Sequence, residues 1–211
     1  APGCLKTYAT TDRRLLCSLP TSWTFADAAA LPTVYTTTDL AFGELAKLRK
    51  GERVLIHAAT GGVGLVAVQY AQQVGATVFA TAGSEAKREH LRKMNVKYIA
   101  SSRDGAAFEK DMADFLAEEG TDGFDVVLNS LSHDEYIPRT VALVRHGGRF
   151  CEIGKRGVWT QEEMHAARPD VAYSLIAIDG MIESEPDSFQ VLLQRLQLTM
   201  ASKELAVRAS E

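Results

Sequence analysis

The stretch VLIHAATGGVGLVAVQYAQQ, residues 54–73, decides the fold. VLIHA (54–58) is a short apolar run of strand type, and LVAVQYAQQ (65–73) continues in the pattern of a helix. Between them stands the turn Ala59-Thr60-Gly61-Gly62-Val63-Gly64, a dinucleotide fingerprint whose first glycine is replaced by Ala59. Gly61 lets the backbone approach a pyrophosphate, and Gly64 lets the helix pack closely on the strand. The N–H groups at the helix start favour negative charge there. Thr60, Gly61, Gly62, Val63 and Gly64 are therefore candidate cofactor-binding residues. The competing reading of the same residues is a tight structural turn.

Outward from this unit the chain keeps a regular βα rhythm. Strands are expected at 77–81, 98–100, 125–129 and 149–153, with helices at 62–74, 85–94, 107–118 and 133–144. A sixth strand falls at 171–178 and a closing helix at 186–201. Apolar strands separated by crossover helices predict an α/β fold with a doubly wound parallel sheet, the Rossmann fold. Upstream, Thr24 can cap a helix through FADAAAL, with Asp27 in its first turn. That helix is expected to stop near Pro32, and a second to run over 33–48, closed by Lys47, Arg49, Lys50 and Gly51. Residues 1–20 carry no helical period and read as strands or loop ending at Pro20.

Composition narrows the class. The chain has 211 residues, 46% hydrophobic and 24% charged, with 16 Gly and 6 Pro, which excludes collagen-like, disordered and disulfide-scaffold proteins. A net charge of −4 without a clustered basic patch argues against nucleic acid or an anionic membrane as partner. Cys4, Cys17 and Cys151 are never arranged as C-x-x-C, so no metal site is expected, and three free thiols suit a reducing cytoplasm. No apolar stretch reaches membrane-spanning length, and APGCLKTYATTDRR lacks the core of a signal peptide.

The strand ends supply the remaining candidates. An NAD site would place an acid about 20 residues past the glycine turn, and that position holds Thr81. Ser84, Lys87 and Arg88 follow, which suits the 2′-phosphate of NADP. Lys87 and Arg88 also fit a solvated helix face, and Glu85 reads as a first-turn acid. Arg103, after the third strand, could close on the same phosphate. Asn129 and Ser130 (VVLNSLS) and Gly154 and Lys155 (CEIGKRG) lie at strand ends facing the crevice where ribose and nicotinamide would sit, although Asn129 also suits an ordinary loop cap. An ammonium at Lys155 could stabilise a developing enolate. His57 reads as packed or hydrogen-bonded, and His90, His133, His146 and His165 as surface. The chain has no G-x-S-x-G, H-E-x-x-H or G-K-[ST] signature.

LIHAATGGVGLVAVQYAQQVGATVFATAGS, YIASSRD, FDVVLNSL, HGGRFCEIGK and the Asp in AYSLIAIDG resemble, in order, the enoylreductase domains of modular polyketide synthases and animal fatty acid synthase. Those belong to the zinc-independent branch of the medium-chain dehydrogenases and reductases. The resemblance implies NADPH-dependent reduction of an enoyl thioester carried on an acyl carrier protein, inside a multidomain synthase. It also implies that Lys155 and Asp179 are the candidate proton donors. On the same basis residues 1–23 are expected to be the remnant of a GroES-like substrate domain, 24–205 the NADPH-binding domain, and LAVRASE to stop before the returning segment. Two other readings remain at this level: a free-standing quinone or enone reductase, and a non-catalytic NADPH-binding or docking module.

Overall fold

The computed structural model describes residues 6–133 and 135–202. Cys4, the first residues of the 1–23 segment and residues 203–205 of the expected domain lie outside the described residues, as does LAVRASE. The centre is a parallel sheet of six strands: β1 (Arg53–Ile56), β2 (Thr77–Ala82), β3 (Tyr98–Ser101), β4 (Phe124–Asn129), β5 (Val144–Glu152) and β6 (Ala172–Leu175). Their order across the sheet is β3-β2-β1-β4-β5-β6, so the chain reverses direction of travel between β1 and β4. That doubly wound order is the one in which ligands bind beyond the carboxyl ends of the strands, at the reversal.

Both faces of the sheet are covered, which explains why its strands lack simple polar alternation. Val54 and Ile56 of β1 face one core together with Val66 and Val68, whereas Leu55 faces the other with Phe79, Phe108, Phe124 and Phe150. The crossovers are α2 (Gly62–Val74), α3 (Glu85–Lys93), α4 (Gly105–Glu118) and α5 (Tyr136–Ala142). The expected helix at 133–144 is thus shorter. Its C-terminal residues enter β5, which begins at Val144, before the expected 149 and on the far side of a register shift opposite Phe124 and Val126.

Pro32 does not end a helix. Thr24 caps α1 (Phe25–Asp39) as expected, its hydroxyl accepting from the Asp27 N–H at 3.1 Å, but α1 then runs straight through Pro32. An interior proline costs about 3 kcal/mol. Burial of Leu31 and Tyr35 and the contacts of α1 with α2 and α8 (Pro186–Ser202) outweigh that cost. Three buried threonines satisfy their hydroxyls locally: Thr36, Thr37 and Thr38 donate to the carbonyls of Pro32, Thr33 and Val34 at 2.6, 2.7 and 2.9 Å. A wider π turn over Leu40–Leu45 follows, where Arg195 of α8 reaches the Asp39 carboxylate at 3.2 Å and Glu44 at 2.5 Å.

Two short helices escaped the sequence reading. The expected strand at 171–178 shortens to β6, preceded by α6 (Gln161–Ala167) with a Thr160–Glu163 capping box and followed by α7 (Ile178–Ser184). Asp179 and Gly180 therefore stand in the first turn of α7 and not in a strand or a tight turn. Residues 6–23 carry a single 3₁₀ turn, Arg13–Leu15, and no strand. This segment is fastened to the helical layer: Leu15, Cys17, Leu19 and Trp23 pack against it, and the Trp23 indole donates to the Met200 carbonyl at 2.9 Å.

Candidate functional site

The glycine turn sits at the carboxyl end of β1, beside the end of β4, at the reversal of the sheet. Gly61 occupies the N-cap of α2 and has no side chain with which to cap it, so the first-turn N–H groups open toward the cleft. Gly64 is the tightest position: a Cβ there would stand 2.6 Å from both the Ala58 carbonyl oxygen and the Ala59 Cα. At Gly61 a Cβ would meet only the Ala58 carbonyl, at 3.2 Å, with open space elsewhere. Gly62 abuts Val34 of α1, and Val63 is half-buried against the same core. Gly64 thus serves packing, and Gly61 keeps the cleft side of the turn bare.

The turn is braced from behind. Ala58 takes a left-handed backbone (φ 47°) and donates its N–H to the Thr81 hydroxyl at 3.1 Å. Thr81 is fully buried, so its side chain braces the turn from behind and does not face the cleft. The same hydroxyl lies 3.2 Å from His57 Nδ1, and His57 Nε2 lies 3.0 Å from the Thr140 hydroxyl. Burial, with the nearby His133 charge adding to it, pushes the His57 pKa from its ordinary 6.5 down to about 3. This imidazole is packed and hydrogen-bonded, as its place before the turn suggested.

A cleft of about 450 Å³ opens over the turn, lined by Ala58, Thr60, Gly61, Lys87, Arg103 and His133 among others. Lys87 and Arg103, expected near a 2′-phosphate, both line this cleft. Arg103 crosses Gly83, where a Cβ would come within 2.9 Å of its Nε, and donates to the Gly83 carbonyl at 3.2 Å. Ser84 is the N-cap of α3, its hydroxyl accepting the Lys87 N–H at 3.4 Å. Arg88 is held by Glu85 at 2.7 Å and by the Ala82 carbonyl, so it is not a freely solvated residue. His133, expected at the surface, is exposed, and the loop after β4 brings it to the lining of this cleft.

At the other end of the crevice the strand termini are tied together. Ser130 donates to the His57 carbonyl at 3.3 Å, joining the ends of β4 and β1. Asn129 is fully buried and donates to Glu152 at 2.5 Å and to the Leu131 carbonyl at 3.3 Å. Gly154 donates its N–H to Glu152 at 2.6 Å. Lys155 and Asp179, expected as partners in proton handling, form an ion pair of 2.6 Å with both side chains about two-thirds exposed. The hydrogen bond from Lys155 holds the Asp179 carboxyl below the usual carboxylate range. Glu152 was missed in the sequence reading. Its signal was an acid inside the apolar run RFCEI, which cannot be left unpartnered in a two-sided core.

This geometry has close counterparts. The model of the zinc-binding dehydrogenase family matches residues 62–197, most of the nucleotide-binding unit. The chain belongs to that family. Within it, the chain is similar to polyketide synthase enoyl reductases. It is 38% identical over 210 residues to a phenolphthiocerol/phthiocerol polyketide synthase of Mycobacterium tuberculosis, covering 98% of this chain and 9% of the relative. The chain thus spans about a tenth of the length of that curated relative. Among solved structures, the CurK enoyl reductase superposes with a TM-score of 0.86 at 38% identity, covering 94% of this chain and 58% of that one. The nucleotide-binding subdomain of the enoylreductase domain of PpsC from Mycobacterium tuberculosis gives 0.74 at 37% identity, covering 84% of this chain and 97% of that one.

Among the described residues, the zinc of the family's description finds no ligand set: no three His, Cys, Asp or Glu side chains gather so as to hold a metal ion. Also among the described residues, no helix is long and apolar enough to cross a membrane.

Proposed function

We propose that this chain is the NADPH-binding part of an enoyl reductase that reduces the 2,3 double bond of an enoyl thioester on an acyl carrier protein. The observation that carries the reading is the convergence of Lys87 and Arg103 on the cleft above an uncapped glycine turn, with Thr81 and no acid at the end of β2. When bound, the cofactor supplies the hydride. Gly61 and the first-turn N–H groups of α2 would hold the pyrophosphate, and the two cations would select a 2′-phosphate over a bare hydroxyl. Lys155 would face the thioester end. Its ammonium can stabilise an enolate oxygen and deliver a proton to the α-carbon, while Asp179 orients it across 2.6 Å. In this reading residues 1–23 belong to the substrate domain and 24–205 to the cofactor domain, beside other domains of a synthase.

Calorimetric titration with NADPH and NADH tests the cofactor half. NADPH should bind more tightly, and Lys87→Ala or Arg103→Ala should narrow the gap by on the order of 1 to 3 kcal/mol, the worth of a charged hydrogen bond. Equal affinity of the wild-type chain for both cofactors overturns it. Oxidation of NADPH by a crotonyl thioester, followed at the nicotinamide absorbance in the enzyme that carries this chain, tests the reaction.

A further inference from the structure

Glu152 closes β5 as a fully buried carboxylate, and its two oxygens go to two different loops. Oε2 accepts the Asn129 side-chain amide at 2.5 Å; Oε1 accepts the Gly154 N–H at 2.6 Å. Burial raises its pKa, while the bonds from Asn129 and from the Gly154 and Ile153 N–H groups favour the anion. A buried carboxylate is retained at a cost of several kcal/mol unless its lone pairs are filled, and here they are filled by the groups that lead into the site.

On one side Asn129 passes the constraint to the loop after β4. Its amide donates to the Leu131 carbonyl, and its Oδ1 accepts the Leu131 N–H at 3.2 Å. Leu131 lines the cofactor cleft. On the other side Gly154 immediately precedes Lys155. The sheet ladder aligns Asn129 with Glu152 and brings the Ile153 N–H to the Asn129 carbonyl at 2.9 Å, but it ends there. Beyond that point two contacts connect the loops: this carboxylate, next to Lys155, and further out the Ser132 hydroxyl, which donates to the Arg156 carbonyl. Gly154 is fitted to it: a Cβ at that position would fall 2.7 Å from Glu152 Oε1.

We infer that Glu152 is a positioning residue that fixes the loop bearing Lys155 relative to the loop bearing Leu131, and so places the ammonium over the reacting end of the cleft. The inference rests on the proposed role of Lys155. Glu152→Gln turns one acceptor into a donor facing a donor, so it keeps one of the two bonds; Glu152→Ala removes both. Gly154→Ala crowds the same oxygen while leaving residue 152 a glutamate.

Two measurements decide it. Hydrogen exchange followed by NMR should show the Gly154 amide and the Asn129 side-chain amide losing protection in Glu152→Ala, while the Cys151 amide stays protected. In the enzyme that carries this chain, kcat for the crotonyl thioester should fall roughly ten- to hundredfold in Glu152→Ala and less in Glu152→Gln, with the NADPH Kd unchanged within about threefold. Glu152→Ala combined with Gly154→Ala should lose little beyond the worse single variant, because both act through one clamp. Full kcat in Glu152→Ala, unaltered exchange at Gly154, or loss of NADPH binding in step with kcat each overturns the inference. If Glu152→Ala does not fold, Glu152→Gln and Gly154→Ala carry the same test. An inactive wild-type enzyme overturns the proposed function and this inference together; an active wild type with active variants overturns only this inference.

Discussion

Acid titrates the brace behind the glycine turn, and the buried imidazole of His57 sets how much stability is lost. In the folded chain His57 protonates near pH 3; once unfolded it protonates at its ordinary 6.5. Between these values the unfolded state holds a proton that the folded state does not, so stability is complete above pH 6.5 and declines as pH falls. The limiting slope is about 1.4 kcal/mol per pH unit. With both pKa values in the linkage relation, the loss is about 2 kcal/mol at pH 5 and about 3 kcal/mol at pH 4. His57→Gln removes the titration while leaving polar atoms opposite Thr81 and Thr140, the two hydroxyls that meet the imidazole. Urea unfolding of both proteins from pH 7.5 to 4.5 isolates the effect, because carboxylates common to the two cancel in the difference. Wild type should be the more stable protein at pH 7.5, and its advantage should shrink by about 2 kcal/mol at pH 5. Parallel curves would mean that His57 keeps an ordinary pKa and that the brace is open to water.

The turn itself separates packing from binding. Gly64→Ala puts a methyl 2.6 Å from two backbone atoms and should lower unfolding stability by about 1 to 3 kcal/mol or more, read by thermal melting. Gly61→Val, on the bare side, should keep the fold by circular dichroism yet weaken NADPH binding by at least about tenfold, or about 1.4 kcal/mol; folding and binding lost together would favour a purely structural turn. In the enzyme that carries this chain, Lys155→Ala and Asp179→Ala should each lower kcat with little change in NADPH affinity, measured by stopped-flow absorbance. Two fully active variants would return that exposed ion pair to the surface.

The sequence by itself determined the architecture, because burial patterns repeat at short range. VLIHA before TGGVG, with apolar strands and crossovers recurring after it, leaves few arrangements other than a doubly wound parallel sheet with its crevice at the first turn. The positions of the glycine turn, Lys87 and Arg103 were legible for the same reason: each lies within a few residues after the end of a strand, and strand ends of such a sheet share one edge. Local pattern failed where packing overruled it. Pro32 reads as a stop, yet buried contacts on α1 carry the helix past it. The run 171–178 reads as one strand, yet its end and the Asp179 that follows open a short helix.

What only the tertiary structure decided was pairing across distance. Lys155 meets Asp179, Thr81 turns its hydroxyl inward to Ala58 and His57, and Glu152 divides its oxygens between Asn129 and Gly154. No periodicity encodes these contacts. Each depends on which strands become neighbours and in what register, and that is fixed by the packing of both cores against the sheet and not by the residues on either side of the contact.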